Sequence, residues 1–165
     1  MTLNYTLTPE ALRRGAALHY NHRLGKWHYV RLALSIMMLV AGGYVLTAEF
    51  SRYPFLGAAM IVFGLMTCLR KLIFCRRVVR SFYKTLDEPP EISVTMDKAG
   101  IDIQSKQSNG RTDWAGLVDY RANEFGILFY PQEGIFYWIP AHAEVEGGDW
   151  DKVLECAQAN VDRRV

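Results

Sequence analysis

Two rhythms divide the chain. Residues 29–48 (YVRLALSIMMLVAGGYVLTA) and 54–69 (PFLGAAMIVFGLMTCL) are apolar on every side, whereas from residue 91 onward apolar and polar positions alternate by two. The first apolar segment has 20 residues and one charge, Arg31, near its start. The second has 16 uncharged residues and runs into Arg70 and Lys71. A helix rises about 1.5 Å per residue and the hydrocarbon core is about 30 Å thick. The first segment therefore spans a bilayer. The second spans it once Arg70 and Lys71 snorkel or residues 72–75 complete the crossing. The linker EFSRY is too short to hold a domain. The pattern predicts a membrane α-helical hairpin over 27–75, with spans at 29–48 and 54–75. A buried soluble helix pair is the competing reading, but a 165-residue chain has little else to cover two helices that are apolar all round. A signal peptide does not fit, because the first segment starts too far in, is too long and lacks a small-residue cleavage site.

Around the hairpin the pattern changes. Residues 3–7 alternate like a short strand. Thr8-Pro9-Glu10 then opens a helix: Thr8 can cap it, Pro9 suits its first position, and Glu10 favours its positive end. That helix is expected to end near Leu24, before Gly25. With its strand it makes an N-terminal segment, 1–26, whose Arg13, Arg14 and Arg23 can meet lipid headgroups. Residues 76–88 read as a basic helical continuation of the second span, broken by Asp87-Glu88-Pro89-Pro90. Residues 91–96 and 101–106 flank the turn Asp97-Lys98-Ala99-Gly100. Ser108-Asn109-Gly110 makes another turn. Residues 111–114 and 117–122 are expected to form one strand bent near Ala115-Gly116. A further hairpin turns at 131–134, and 149–161 is a helix capped by Asp149 with Trp150, Val153, Leu154, Ala157 and Val161 along one face. Residues 89–165 are thus predicted to form an α+β domain of about five antiparallel strands capped by a C-terminal helix, with 3–7 placed to extend the sheet.

Composition conceals this division and charge reveals it. The chain carries a net +2, yet residues 1–84 hold twelve Lys/Arg against two acids (+10) and residues 85–165 hold seven against fifteen (−8). Such asymmetry between halves points to a membrane surface. Arg13, Arg14, Arg23, Lys26 and Arg31 precede the first span, and Arg70, Lys71, Arg76, Arg77, Arg80 and Lys84 follow the second. The turn between has only Arg52. The positive-inside rule then predicts a multi-pass inner-membrane protein with both termini cytoplasmic. Trp27, His28 and Tyr29, and Phe50, Tyr53 and Phe55, suit the two interfacial belts. Gly42, Gly43, Gly57, Ala58, Ala59 and Gly64 would let helices approach closely, with Gly43/Thr47 and Gly64/Cys68 at small-xxx-small spacing.

The order of a strand and helix, a two-span hairpin, a basic exit and a Trp-containing sheet resembles the bacterial YcxB-like proteins over nearly the whole chain. The resemblance is carried by the hairpin 94–103, by TDWAGLVDYRANEFGILFY at 112–130 and by WIPAHAEV at 138–145. Trp114 and Ile139-Pro140 match the family pattern. Ala141-His142 stand where it has a basic pair, so a role for those charges does not carry over. The resemblance implies a pleckstrin-homology-like (PH-like) fold for the sheet domain and no assigned chemistry.

The residues themselves offer little chemistry. His19 and His22 are three apart on a predicted helix and could share a metal, but Glu10 is the only acid nearby, and interfacial side chains are the simpler reading. Cys68, Cys75 and Cys156 make no zinc pattern and are expected as free thiols. No P-loop, Rossmann glycine pattern, nucleophile elbow or HExxH is present. No cofactor, no metal and no nucleic-acid partner is expected, and the chain is not read as an enzyme. Arg70, Lys71, Arg76, Arg77, Arg80 and Lys84 are assigned to lipid headgroups. Asp102, Asp113, Asp119 and Glu124 at turns and polar strand faces, with Phe136, Tyr137 and Trp138 in a strand apolar on both faces, are the candidate partner-binding residues. For that strand, ordinary core on one side and a helix or the membrane on the other is the competing account. The expectation is a non-catalytic, membrane-anchored binding protein with a protein partner, of which an immunity protein meeting a basic toxin at the membrane is one version and self-association another. An anionic-lipid or signal sensor is the first alternative, and a membrane-bound hydrolase or transferase the second.

Overall fold

The computed structural model describes residues 1–47, 54–84, 86, 88–106, 109–132, 134–146 and 149–161. The expected turn 49–53, with Arg52, Phe50 and Tyr53, lies outside the described residues, as do Asp87, Ser108 and Glu133. The chain divides into two compact units, Met1–His19 with Val78–Val165, and Tyr20–Arg77.

The first unit is built of two antiparallel sheets. β1 (Thr2–Thr6), β2 (Glu91–Met96), β3 (Gly100–Ser105), β4 (Asn109–Asp113) and β8 (Glu144–Glu146) form one sheet in the order β4-β3-β2-β1-β8. β5 (Asp119–Asn123), β6 (Gly126–Gln132) and β7 (Ile135–Pro140) form the other. The N-terminal strand does extend the sheet, with Leu3 opposite Val94 and Tyr5 opposite Ile92. It sits between β2 and β8, an interior position rather than an edge.

The expected bent strand over 111–122 is instead two strands in different sheets. Trp114 makes the corner. Its backbone N–H donates to Ala99 O at 3.2 Å, its indole N–H donates to Asp97 O at 2.9 Å, and Leu117 N–H donates back to Trp114 O. Trp114 and Leu117 are both buried. Two side chains that must enter the core three residues apart break the alternation of a strand, so the chain makes a 3-10 turn over Trp114–Gly116 and crosses to the second sheet. With this split and β8, the described residues from 89 onward form seven strands rather than about five, and β1 makes the eighth.

Leu3, Val94, Met96 and Ile101 from the larger sheet meet Ile127, Phe129 and Ile139 from the smaller one. α4 (Trp150–Asn160) closes this core with Val153 and Ala157, and the Asp149 carboxylate caps its start by accepting from Trp150 N–H at 3.1 Å. α1 (Pro9–Leu24) begins as its sequence dictates, with Thr8 Oγ1 accepting from Ala11 N–H at 3.2 Å. Its early turns lie against the opposite face of the smaller sheet: Leu7, Ala11 and Leu12 pack with Leu128, Tyr130 and Trp138. Val79 and Tyr83, at the end of α3 (Pro54–Tyr83), join them, and the Tyr83 hydroxyl donates to Leu7 O.

The second unit is the pair α2 (Trp27–Thr47) and most of α3. Both are long and apolar enough to cross a membrane, and only 11% of the most apolar stretch of each is buried. They touch through small residues spaced by seven. A Cβ on Gly42 would come within 2.8 Å of Gly57 O, and one on Gly64 within 2.8 Å of Leu39 Cγ and 3.0 Å of Ser35 O. The seam is therefore Ser35/Gly42 against Gly64/Gly57. Gly43, paired with Thr47 in the sequence reading, has nothing within 4 Å of its Cβ position.

Candidate functional site

Strand alternation determines what the five-stranded sheet shows to its surroundings. Leu3, Val94, Met96, Ile101 and Ile103 point toward the core, so the intervening residues share the opposite face. Pairing lines them up in rows. Glu146, Thr2, Thr95, Asp102 and Arg111 form one row, and Glu144, Asn4, Ser93, Gln104 and Asn109 the next. Thr6, Glu91 and Lys106 continue the face at one end, where Lys106 Nζ lies 3.8 Å from Glu91 Oε2. Every one of these side chains is polar. An open groove of about 800 Å³ runs along this end, bounded among others by Asn4, Thr6, Glu91, Ser93, Gln104, Lys106, Asn109, His142 and Glu144.

The face is acidic. Glu91, Asp102, Asp113, Glu144 and Glu146 stand against Lys106 and Arg111, a difference of three charges. Both cations are engaged locally, Lys106 as above and Arg111 with Asp97 at 3.1 Å. Asn4 Nδ2 donates to Glu146 Oε1 and so ties β1 to β8, while Gln104 Nε2 donates to Asp102 Oδ2 within β3.

The sequence-derived candidates separate on this frame. Asp102 and Asp113 lie on the acidic face. Glu124 is exposed in the β5–β6 turn, away from it. Asp119 is only 7% exposed, pairs with Arg121 at 3.1 Å and accepts from Tyr120 N–H. It is an internal group of the smaller sheet. Phe136, Tyr137 and Trp138 are accounted for inside the chain. Tyr137 packs toward the core between the sheets, while Phe136 and Trp138 pack in the cluster that α1 covers. Trp138, 5% exposed, presents no surface, whereas Phe136 and Tyr137 are half-buried and Ile135 at the start of the strand is exposed. Arg70, Arg76, Arg77 and Arg80 along α3, and Lys84 just beyond it, are exposed, and Lys71 is half-buried.

Glu91, Glu144, Glu146 and Asn4 escaped the sequence reading. Each sits in an alternating segment, which is a signal of a polar face. Only the long-range pairing of β1 with β2 and β8 shows that they share one.

Other chemistry is sparse. His19 is buried, with Nδ1 3.2 Å from the Tyr130 hydroxyl and its ring stacked on Phe136, while His22 is exposed. Burial, with the Asp119 charge adding to it, pushes the Tyr130 phenol up to about 12. Burial also raises the Cys156 thiol, away from the thiolate that nucleophilic work requires. No cluster of three or more His, Cys, Asp or Glu able to hold a metal ion occurs among the described residues. Comparison with protein-family models, with curated proteins and with solved structures gives no match.

Proposed function

We propose that this chain is a non-catalytic binding protein held at a membrane by α2 and α3, with the acidic face of the five-stranded sheet as its working surface. One observation carries the reading: two apolar helices with exposed flanks are spliced between β1 and β2, adjacent strands of one sheet. Of the 21 large apolar side chains exposed among the described residues, 19 lie between Trp27 and Phe82. A hydrocarbon surround removes that cost. Because β1 and β2 pair, both ends of the insertion return to one side, as an even number of crossings requires. Arg31, Arg70, Lys71, Arg76, Arg77 and Arg80 at the ends of α2 and α3 remote from their connection, against Arg52 alone within it, support placing that side in the cytoplasm of a bacterial inner membrane.

Two antiparallel sheets closed by a C-terminal helix support a PH-like domain, and the element order supports the resemblance to YcxB-like proteins. A flat polar face with a surplus of acids suits a basic protein partner, whose encounter it would speed. Protection against a basic toxin acting at the membrane is the biological version of this reading.

The test is cross-linking and recovery of the full-length protein from its native membrane in mild detergent, with mass spectrometry of what accompanies it. A stoichiometric basic protein lost from the Glu144→Lys/Glu146→Lys/Asp102→Lys variant is the expected result. Recovery of the same partner from that variant would overturn the assignment of the surface.

A further inference from the structure

We infer that the helix pair binds one anionic phospholipid, its phosphate held by Arg31 and Arg70 and one acyl chain lying in the slot between α2 and α3. The inference rests on the membrane reading of these helices and names a ligand for that part of the chain.

The argument begins with charge. The unit Tyr20–Arg77 has one acid, Glu49, in the connection between the helices. Arg31 is 18 residues from it in the sequence. The seam brings Ser35 to Gly64 and Gly42 to Gly57, so paired positions sum to 99. Arg31 then falls level with Cys68, and Arg70 with Tyr29. Two guanidiniums stand at one end of the pair, with no acid among the described residues of this unit. Exposed Trp27 and Tyr29 mark the same level, where aromatic side chains favour the headgroup layer.

Shape supplies the second half. A slot of about 430 Å³ has Arg31, Arg70 and Ile73 toward one end and continues along Leu34, Met38, Phe63 and Met66. It exists because the small residues of the seam bring the backbones together while the larger side chains beside them stand outward. The polar hydrogens of Ser35 and Thr67 in its wall are spent on their own helices, donating to Arg31 O at 2.7 Å and Phe63 O at 2.8 Å. The slot therefore offers hydrocarbon below and two charge-assisted donors above. A free phosphate would use only the donors. A lipid with an anionic headgroup uses both parts.

The test places trace spin-labelled phosphatidylglycerol or phosphatidylcholine in phosphatidylcholine bilayers containing the full-length protein, and electron paramagnetic resonance measures the motionally restricted fraction. Phosphatidylglycerol should be favoured several-fold, saturating near one per chain. Arg31→Gln and Arg70→Gln should each cut the preference by about fivefold or down to parity. Met66→Trp, at an exposed position, should fill the slot and remove the preference with every charge intact. Arg76→Gln/Arg80→Gln should leave it unchanged. Preference that survives both Arg31→Gln and Met66→Trp, or that falls only with Arg76 and Arg80, would overturn the site. So would the absence of restricted lipid together with loss of a dimer in Met66→Trp, which would assign the slot to a second copy. Alkaline extraction of the same samples separates the two claims: wild-type protein released from the bilayer ends the membrane reading, whereas retained protein without lipid preference ends only this site.

Discussion

Asp97 shows how much one side chain can fix. Its Oδ1 accepts from Ala99 N–H at 2.7 Å and Gly100 N–H at 2.9 Å, its other oxygen meets Arg111, and its backbone oxygen receives the Trp114 indole. The two backbone donors, with Arg111 helping, hold its carboxyl below the usual aspartate range. A lowered folded-state value means that the stabilisation is complete above the ordinary aspartate pKa of about 4 and is lost as pH falls through the lower one. Denaturant titrations of the wild type across acid pH should show that loss, and Asp97→Asn should show a smaller one. Tyr130 behaves in the opposite sense. Its phenol is raised to about 12, so its contribution is complete below the ordinary tyrosine value near 10 and is lost as pH rises through about 12. Tyr130→Phe should remove one tyrosinate from the absorbance titration in that upper range. The Asp97 turn was legible in four consecutive residues. Asp119 was not, because its burial follows from lying opposite Tyr130 across β5 and β6, which no local pattern reports.

At the scale of elements, glycines decide which surfaces meet. A methyl on Gly15 would stand 2.7 Å from the Trp138 ring, and a rigid indole cannot yield as a flexible chain would. Gly15→Ala should therefore cost the sheet unit about 1–3 kcal/mol in chemical denaturation. Gly42→Ala should cost the helix pair a similar amount, read by circular dichroism as sodium dodecyl sulfate is titrated into mild detergent. Gly43→Ala, one residue away, should stay within about 0.5 kcal/mol, since its Cβ enters open space. Periodicity alone gave α1, α2, α3 and α4 to within a few residues, and it gave β2 and β3, because each is a local pattern with local signals at its ends. It mistook the corner at Trp114 for a bend within one strand, because only the packing shows that Trp114 and Leu117, three residues apart, both enter the core. Pro131 shows the same limit. Placed in the turn by its residue type, it lies within β6, where the pairing slips by one residue between Phe129/Tyr137 and Gln132/Ile135. A strand tolerates proline at such a bulge.

For the whole molecule, the division between apolar helices and an alternating sheet domain was the clearest message of the sequence, since about 40 consecutive residues carry it. The acidic face was the least legible, being assembled from β8, β1, β2, β3 and β4 by pairings that reach across the chain. The central claim is that α2 and α3 cross a membrane and return the chain to its starting side. Its most direct measurement is thiol accessibility in intact cells, with the native cysteines Cys68, Cys75 and Cys156 replaced by serine. A single new cysteine at Ser51→Cys, between the helices, should react with a membrane-impermeant maleimide from outside. One at Lys98→Cys, in the β2–β3 turn, should react only after the inner membrane is opened. Equal labelling of both positions, or release of the protein from membranes at alkaline pH, would contradict the account.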